Sequence, residues 1–416
     1  MATNKPGLME HEKFEALRAL ASTLNQVSDL DVMMETILSE ARRFVGAEAG
    51  SIYIREGDRL LLSYSQNDYF VKSESAKDFS GYKNQEIPLT GNSLAAYVGR
   101  EGRPLNVADA YDIDLDSPYS FDPEFDRKNG YVTRSILTLP LSDLRLETIG
   151  VLQIINPRAA DGQPRAFERD DEELMIIFSS TAAMALERAQ LVRQMLLRSV
   201  RMAELRDPRE TTLHAQRVAA LAGLLYEDWA RKRSLTPAVI KKNRDHLRMA
   251  AMLHDVGKVG ISDQILNKPT RLNHDERQEM QKHVLIGLKL FEPVFSELDR
   301  MIYEVILNHH ERWDGRGYPG WINPDTGLAL PGHHGADERP LGKKGEEISI
   351  FGRVTAVADV FDALTSRRVY KDAFDGDLAC QIMIQESGHH FDPELVDILL
   401  LNLDLAKAVR RRFREY

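Results

Sequence analysis

The second half of this 416-residue chain holds Glu210, His214, His254, Asp255, His283, His309, His310 and Asp359. Imidazole nitrogens and carboxylate oxygens ligate divalent cations, and a set of this size exceeds what one tetrahedral ion uses. The residues therefore predict a site for two or three metals and hydrolytic chemistry, with a phosphodiester as the expected substrate. Glu210 and His214 are four apart, so on a helix they project to one side and grip a single ion. In "HDVGK", His254 to Lys258, the imidazole of His254 binds one metal while the two oxygens of Asp255 bridge a pair, which would activate one shared water. Lys258, a turn further on, is placed to point at a phosphate oxygen or to help position the water. The only cysteine is Cys380, so an intrachain disulfide and a zinc–thiolate site are both excluded. Imidazole and carboxylate without thiolate suit iron or manganese, and would also take zinc or nickel.

These ligands need several helices to carry them. His283 lies in the apolar segment "MQKHVLIGLKLF", His309 and His310 end "MIYEVILNHH", and Asp359 begins "DVFDAL". Each element brings a ligand inward from a different helix, as bundle metal sites do, and from Glu210 onward the chain reads as nearly all helical. The first half is different. Phe14, Leu17, Leu20 and Leu24, then Met33, Ile37, Ala41 and Phe44, recur at helical spacing. After Gly46 come the strand-like segments "AGSIYIRE", "RLLLSYS", "SILTLPLS" and "TIGVLQIIN". Helices flanking a meander of strands predict an α+β domain with an antiparallel sheet. Between Pro164 and Pro208 there is neither Gly nor Pro, which predicts one long helix. Its Leu174, Phe178, Thr181, Ala185 and Met195 are roughly heptad-spaced, with Arg188 in register, so it either pairs as a coiled coil or packs on its own domain. The resulting division is a tail over 1–12, an α+β domain over 13–168, a linker helix over 169–206 and an all-α domain over 207–416.

Composition narrows the class. A hydrophobic fraction of 43% and a charged fraction of 28% are ordinary for globular domains. A formal net charge of -10 disfavours a nucleic acid polymer, whose binding needs basic surface, while leaving a small anion held by metals compatible. No apolar run is long enough to cross a bilayer, and the stretch through Glu10 lacks the apolar core of a signal peptide, so the cytoplasm is the expected compartment.

From about Phe14 to Leu191 the chain resembles a GAF domain. "FDRKNGYVTRSILTLPL", "IGVLQIINPR" and the residues Asn156, Phe167, Asp171 and Glu172 carry the resemblance, those four matching the signature of cyclic-nucleotide-binding GAF domains. Pro157 replaces the lysine whose ion pair with aspartate locks that fold, leaving open whether Arg158 substitutes. The resemblance implies a small-molecule sensor and dimer module, with cAMP or cGMP as the expected ligand or, alternatively, a role in dimerisation alone.

The second half resembles the HD-GYP family through "HDVGK", "HHERWDGRGYPG" from His309 to Gly320, "ADVFDALTS" from Ala358 to Ser366, and "HFDP" from His390 to Pro393. The resemblance implies a homodimeric phosphodiesterase that cleaves cyclic di-GMP to pGpG and/or GMP, with iron first and manganese next as metals. Glu210 implies a third ion. Arg368 and Lys371 match the family's phosphate-binding positions, and Tyr318 of the "GYP" element, beside the active site, joins Lys258 as a substrate contact. Alternatives are a hydrolase of another cyclic dinucleotide, and a non-catalytic cyclic di-GMP receptor or scaffold for diguanylate cyclase (GGDEF) domains. One departure is the insertion "WINPDTGLALPGHHGADERPL" after the GYP loop. Its His333 and His334 invite a metal-binding reading, but a tract rich in Gly, Pro and Asp reads as a surface loop or small hairpin.

Overall fold

The computed structural model of the chain describes residues 6–71, 85–159, 162–207, 211–336, 338–366 and 376–413. They form two compact units, Met1–Leu191 and Val192–Tyr416.

The first unit is the expected α+β domain. Helices α1 (Pro6–Asn25) and α2 (Leu30–Val45) precede β1 (Ala47–Glu56) and β2 (Arg59–Asn67). Then follow α3 (Asp68–Val71), β3 (Glu86–Pro88), α4 (Leu94–Glu101), β4 (Leu105–Val107), α5 (Glu124–Asn129), β5 (Ile136–Ser142) and β6 (Thr148–Pro157). The strands pair antiparallel in the order β3-β2-β1-β6-β5-β4. Asp29 starts α2 by accepting the Asp31 and Val32 amides, and Gly46, at φ 65°, ends it in the left-handed conformation that glycine adopts without a Cβ penalty. Met33, Ile37 and Ala41 of α2 pack with Leu139, Leu152 and Ile154 of the sheet.

Helix α6 (Arg169–Glu204) starts in this unit and ends in the next, the division falling at Leu191 and Val192. Its inner stripe, Met175, Phe178, Ala182, Leu186 and Ala189, repeats every three or four residues and fills the first unit's core. The anticipated heptad therefore divides: Phe178 and Ala185 are core, whereas Met195 is exposed along with Ile177, Met184, Leu191 and Met202. Arg188 interrupts the pattern for a local reason. Its guanidinium donates to the Leu24 and Val27 carbonyls and to Asn25 Oδ1, capping the end of α1.

The second unit is helical. Its elements are α7 (Thr212–Lys232), α8 (Pro237–Ala251), a tight 3-10 turn at Val256–Gly260, α9 (Asp263–Leu266), α10 (His274–Gln281), α11 (His283–Lys289) and α12 (Glu297–Asn308). After a long loop come α13 (Ile350–Thr365), α14 (Gly376–Gln385), α15 (Pro393–Leu401) and α16 (Leu403–Arg412). Val218, Leu221 and Leu225 of α7 pack with Leu247, Ala250 and Ala251 of α8, Val305 and Ile306 of α12, and Val354, Val357 and Phe361 of α13. Small residues set the spacing: a Cβ added at Gly352 would lie 2.3 Å from the Asn308 Cβ, so α13 approaches α12 only because that position is glycine. Among the described residues, no helix is long and apolar enough to cross a membrane.

Candidate metal centre

Each described candidate ligand in the second unit sits at an element end or on a helix face. His214 occupies the first turn of α7, where the Thr211 hydroxyl accepts the His214 amide at 3.1 Å as the N-cap. His254 and Asp255 follow the end of α8 and lead into the Val256–Gly260 turn. That turn must lie against the start of α11, and Gly257 permits it: a Cβ there would meet the His283 carbonyl at 1.9 Å. His283 opens α11, His309 caps the C-terminus of α12 and His310 follows it. Asp359 projects from α13.

The folded chain gathers these side chains into two adjoining groups. Asp255, His283, His309 and His310 form one, and His214, His254 and Asp359 the other, the ligand atoms of each lying within 4.8 Å of one another. Asp255 faces both. Its Oδ1 lies 3.2 Å from His283 Nε2, 3.6 Å from His309 Nε2 and 3.9 Å from His310 Nε2, while Oδ2 lies 3.3 Å from His254 Nε2. His214 Nε2 is 3.3 Å and His254 Nε2 4.0 Å from Asp359 Oδ1. Bonds of about 2.1 Å to one ion put neighbouring ligand atoms about 3 Å apart, close to these separations.

The chemistry of the donor set fits metal ions. His254 Nδ1 donates to the Ala251 carbonyl at 2.9 Å, His283 Nδ1 to Met280 at 2.7 Å and His309 Nδ1 to Ile306 at 3.0 Å. With the proton on Nδ1, the lone pair is on Nε2, which faces the group. Asp255 Oδ1, His283 Nε2 and His309 Nε2 are buried and make no hydrogen bond. A lone pair left this way costs about 1–3 kcal/mol, a cost that coordination removes. Protonation states agree. Burial lowers the pKa of His309, and burial together with the neighbouring His309 and His283 rings lowers that of His310 much further, so both stay neutral. Burial alone would raise the carboxyl of Asp255, but the ammonium of Lys258 overcomes it and holds the group well below its usual range.

Lys258 Nζ donates to Asp255 Oδ2 at 2.7 Å, with Asp207 Oδ2 at 4.0 Å on its other side. Tyr318 lies flat on His310, ring centroids 4.7 Å apart, and meets His283 edge-on. Glu210, Arg368 and Lys371 lie outside the described residues. His333 packs on Trp321 and His334 pairs with Pro340 in an isolated bridge. Neither joins a candidate metal group among the described residues.

Sequence reading missed the support behind the ligands. Asp362, fully buried, accepts from His214 Nδ1 at 2.8 Å and from Arg217 at 2.6 and 3.0 Å. The spacing held a signal: Asp362 is three residues from Asp359 and Arg217 three from His214, so each pair shares a helix face. In "HFDP", Asp392 pairs with buried Arg353 at 2.6 Å and caps α15.

In the first unit the four signature residues are fastenings of the fold. Asn156, at φ 53°, accepts the Arg134 amide and donates to the Val132 carbonyl and the Tyr131 hydroxyl. Phe167 is core, and Glu172 accepts from Asn106. Asp171 takes both arms of Arg165, while Arg158 pairs with Glu48, so Arg165 and not Arg158 fills the place of the missing lysine. None of the four lines the unit's cavity of about 340 Å³, whose walls include Tyr53, Ser65, Phe125, Asp126, Lys128 and Gln153.

An antiparallel sheet flanked by helices, followed by a helical bundle with two adjoining His and Asp groups, defines a two-domain chain with a candidate metal-binding second domain. Residues 29–186 match the GAF domain family and residues 211–364 the HD domain family, with a further HD domain match over 334–395. The two halves of the chain thus carry separate domain-family matches, GAF in the first and HD in the second. The chain is similar to a 3′3′-cGAMP-specific phosphodiesterase 2 of Vibrio cholerae, 36% identical over 49% of this chain and 33% of the relative. A cyclic di-GMP phosphodiesterase of the same organism is 38% identical over 51% of this chain and 40% of its own length. A cyclic di-GMP phosphodiesterase of Thermotoga maritima is 34% identical over 50% and 49%. The chain thus spans less than half the length of these curated relatives.

Proposed function

We propose that the HD domain is a metal-dependent phosphodiesterase that hydrolyses cyclic di-GMP to pGpG and/or GMP. The observation that carries this reading is Asp255, a single carboxylate whose two oxygens face two separate ligand groups. Two or three divalent cations, iron or manganese, would supply a Lewis acid and a water made nucleophilic at neutral pH. Asp255, His283, His309 and His310 would hold one, His214, His254, Asp359 and the second Asp255 oxygen another, and Glu210 is the proposed ligand of a third. Lys258 keeps the bridging carboxylate ionised and is the nearest ammonium to a phosphate entering there. Tyr318 offers a ring and a hydroxyl beside His310, and Arg368 and Lys371 are proposed phosphate contacts. A receptor or cyclase scaffold has no chemical need for so complete a ligand set.

The GAF domain is proposed to regulate this activity by binding a small molecule in its cavity better in one state than in another. The expected cAMP or cGMP would meet Asp122, Glu124 and Asp126 there, against one described cation, Lys128, which pairs with Glu124 at 2.7 Å. The exposed Ile177, Met184, Leu191, Met195 and Met202 of α6 support a homodimer, and the cytoplasm remains the proposed compartment.

The test is metal analysis of anaerobically purified protein followed by assay on cyclic di-GMP and on 3′3′-cGAMP, the second because a relative of comparable identity bears that name. Turnover of 3′3′-cGAMP alone moves the substrate and keeps the mechanism. Metal-loaded protein that cleaves neither sinks the proposal.

A further inference from the structure

Glu311 directly follows the ligand pair His309 and His310, yet its carboxylate is committed to backbone. Oε1 accepts the Gly320 amide at 2.6 Å and Oε2 the Lys343 amide at 3.1 Å, and the residue is 2% exposed. Gly320 ends the GYP loop and Lys343 is the second residue of the segment after the insertion, so one buried carboxylate grips the chain at both ends of the 321–341 loop. The closure is tight. A Cβ at Gly320 would lie 2.3 Å from the Leu341 carbonyl, and one at Gly342 would lie 2.4 Å from that of Gly315. Lys343 Nζ donates to Asn308 Oδ1 at 2.7 Å, anchoring the closed base to the last turn of α12, the turn that carries His309.

Tyr318 lies inside this closure. Its amide donates to the His310 carbonyl at 3.2 Å, and its ring stacks on the His310 imidazole. His310 is also where its group is most open: its side chain is 26% exposed, against 1% for His283 and 0% for His309. Among the described residues, the His310 and Tyr318 pair therefore forms the open edge of this group.

We propose that Glu311 is a positioning residue that clasps the base of the insertion, holds Tyr318 on His310 at the open side of the metal centre, and so sets substrate affinity without governing metal binding. Its kinetic part rests on the phosphodiesterase reading. A carboxylate suits the role because both of its oxygens accept. Glutamine keeps the shape but turns an NH2 group toward one of the two amides, opening one arm.

The test uses the full chain loaded with metal, comparing Glu311→Gln with wild type for KM and kcat on cyclic di-GMP, metal per chain, and the rate of protease nicking between Trp321 and Leu341. The clasp predicts a KM raised about tenfold, kcat within about threefold, unchanged metal content and faster nicking. In a background where 322–340 is replaced by a short Gly-Ser turn, the same substitution should raise KM by less than about threefold, since little loop is left to hold. Unchanged KM, metal loss accompanying the KM change, or an equal penalty in the shortened background overturns the proposal. If wild type cleaves no cyclic dinucleotide, the reaction reading fails by itself. Nicking and metal content then decide the clasp, and unchanged nicking overturns it.

Discussion

Asparagine at position 362 alters one atom of a residue that touches no metal site directly, and the structure assigns it a measurable effect. Asp362 Oδ2 accepts from His214 Nδ1 at 2.8 Å and Arg217 Nη2 at 3.0 Å, while Oδ1 accepts from Arg217 Nε at 2.6 Å. The carboxylate accepts on both edges; an amide accepts on one and donates on the other. If the asparagine oxygen stays with Arg217, its NH2 faces His214 Nδ1, which must then give up its proton. The proton moves to Nε2 and removes the lone pair that faces Asp359 Oδ1. If the oxygen turns to His214, a buried guanidinium faces an NH2 group and lacks its counter-charge. Removing one partner of a buried ion pair costs about 3–5 kcal/mol, and an amide that keeps one hydrogen bond sits at the low end of that range.

For metal affinity the relevant comparison is the loss of an outer carboxylate behind a ligating histidine, which costs about 10–100-fold. The expected outcome for Asp362→Asn is therefore a manganese dissociation constant raised by about that factor for the His214, His254 and Asp359 group, with the Asp255, His283, His309 and His310 group retained. Titration of metal-free protein, followed by the melting temperature or by metal counted after gel filtration, reads both stages. Affinity within twofold of wild type at both stages, in a protein that still folds, would show that His214 needs no orienting carboxylate and would refute the argument.

Asp255→Ala removes the one carboxylate facing both groups, so metal content should fall at both together by at least about tenfold; retention of one ion per chain would contradict the bridging geometry. Gly257→Ala pushes a methyl into the His283 carbonyl at 1.9 Å and the Gly287 amide at 2.5 Å, neither of which can rotate away. The expected loss is about 3 kcal/mol in chemical denaturation, with metal binding weakened because His283 moves. Arg165→Ala should lower the stability of the first domain by about 1 kcal/mol, because it frees Asp171, whereas Arg158→Ala should cost less than half of that since its side chain is 45% exposed. Equal losses in denaturant melts would contradict the assignment of Arg165 to the lock.

Much of this architecture was legible in the residues because the signals were local. The four strand-like segments became β1, β2, β5 and β6. The edge strands β3 and β4, three residues each, went unread, since a segment that short carries no period and is held by the neighbour it pairs with. The long helix was legible from the lack of Gly and Pro. Its packing was not: a stripe facing the chain's own core and a stripe left for solvent have the same spacing, and only the sheet beneath decides which is which.

The same division runs through the site. Ligand types are local chemistry, so His254, Asp255, His283, His309 and His310 could be chosen as candidates, whereas their supports depend on partners far along the chain. Arg158 and Arg165 both lie within reach of Asp171 by sequence, and the choice is made by Glu48, more than a hundred residues away, which takes Arg158. Asp362 reads as one more carboxylate in an apolar helix until α7 brings His214 and Arg217 against it. The glycines follow this rule in reverse. Gly257 and Gly352 are plain in the sequence, but their necessity lies in the carbonyl and Cβ they would strike, contacts that exist only once α11 and α12 are in place. A motif thus records two kinds of requirement, the atoms that perform the chemistry and the space that lets them meet, and one chain read without its fold shows only the first.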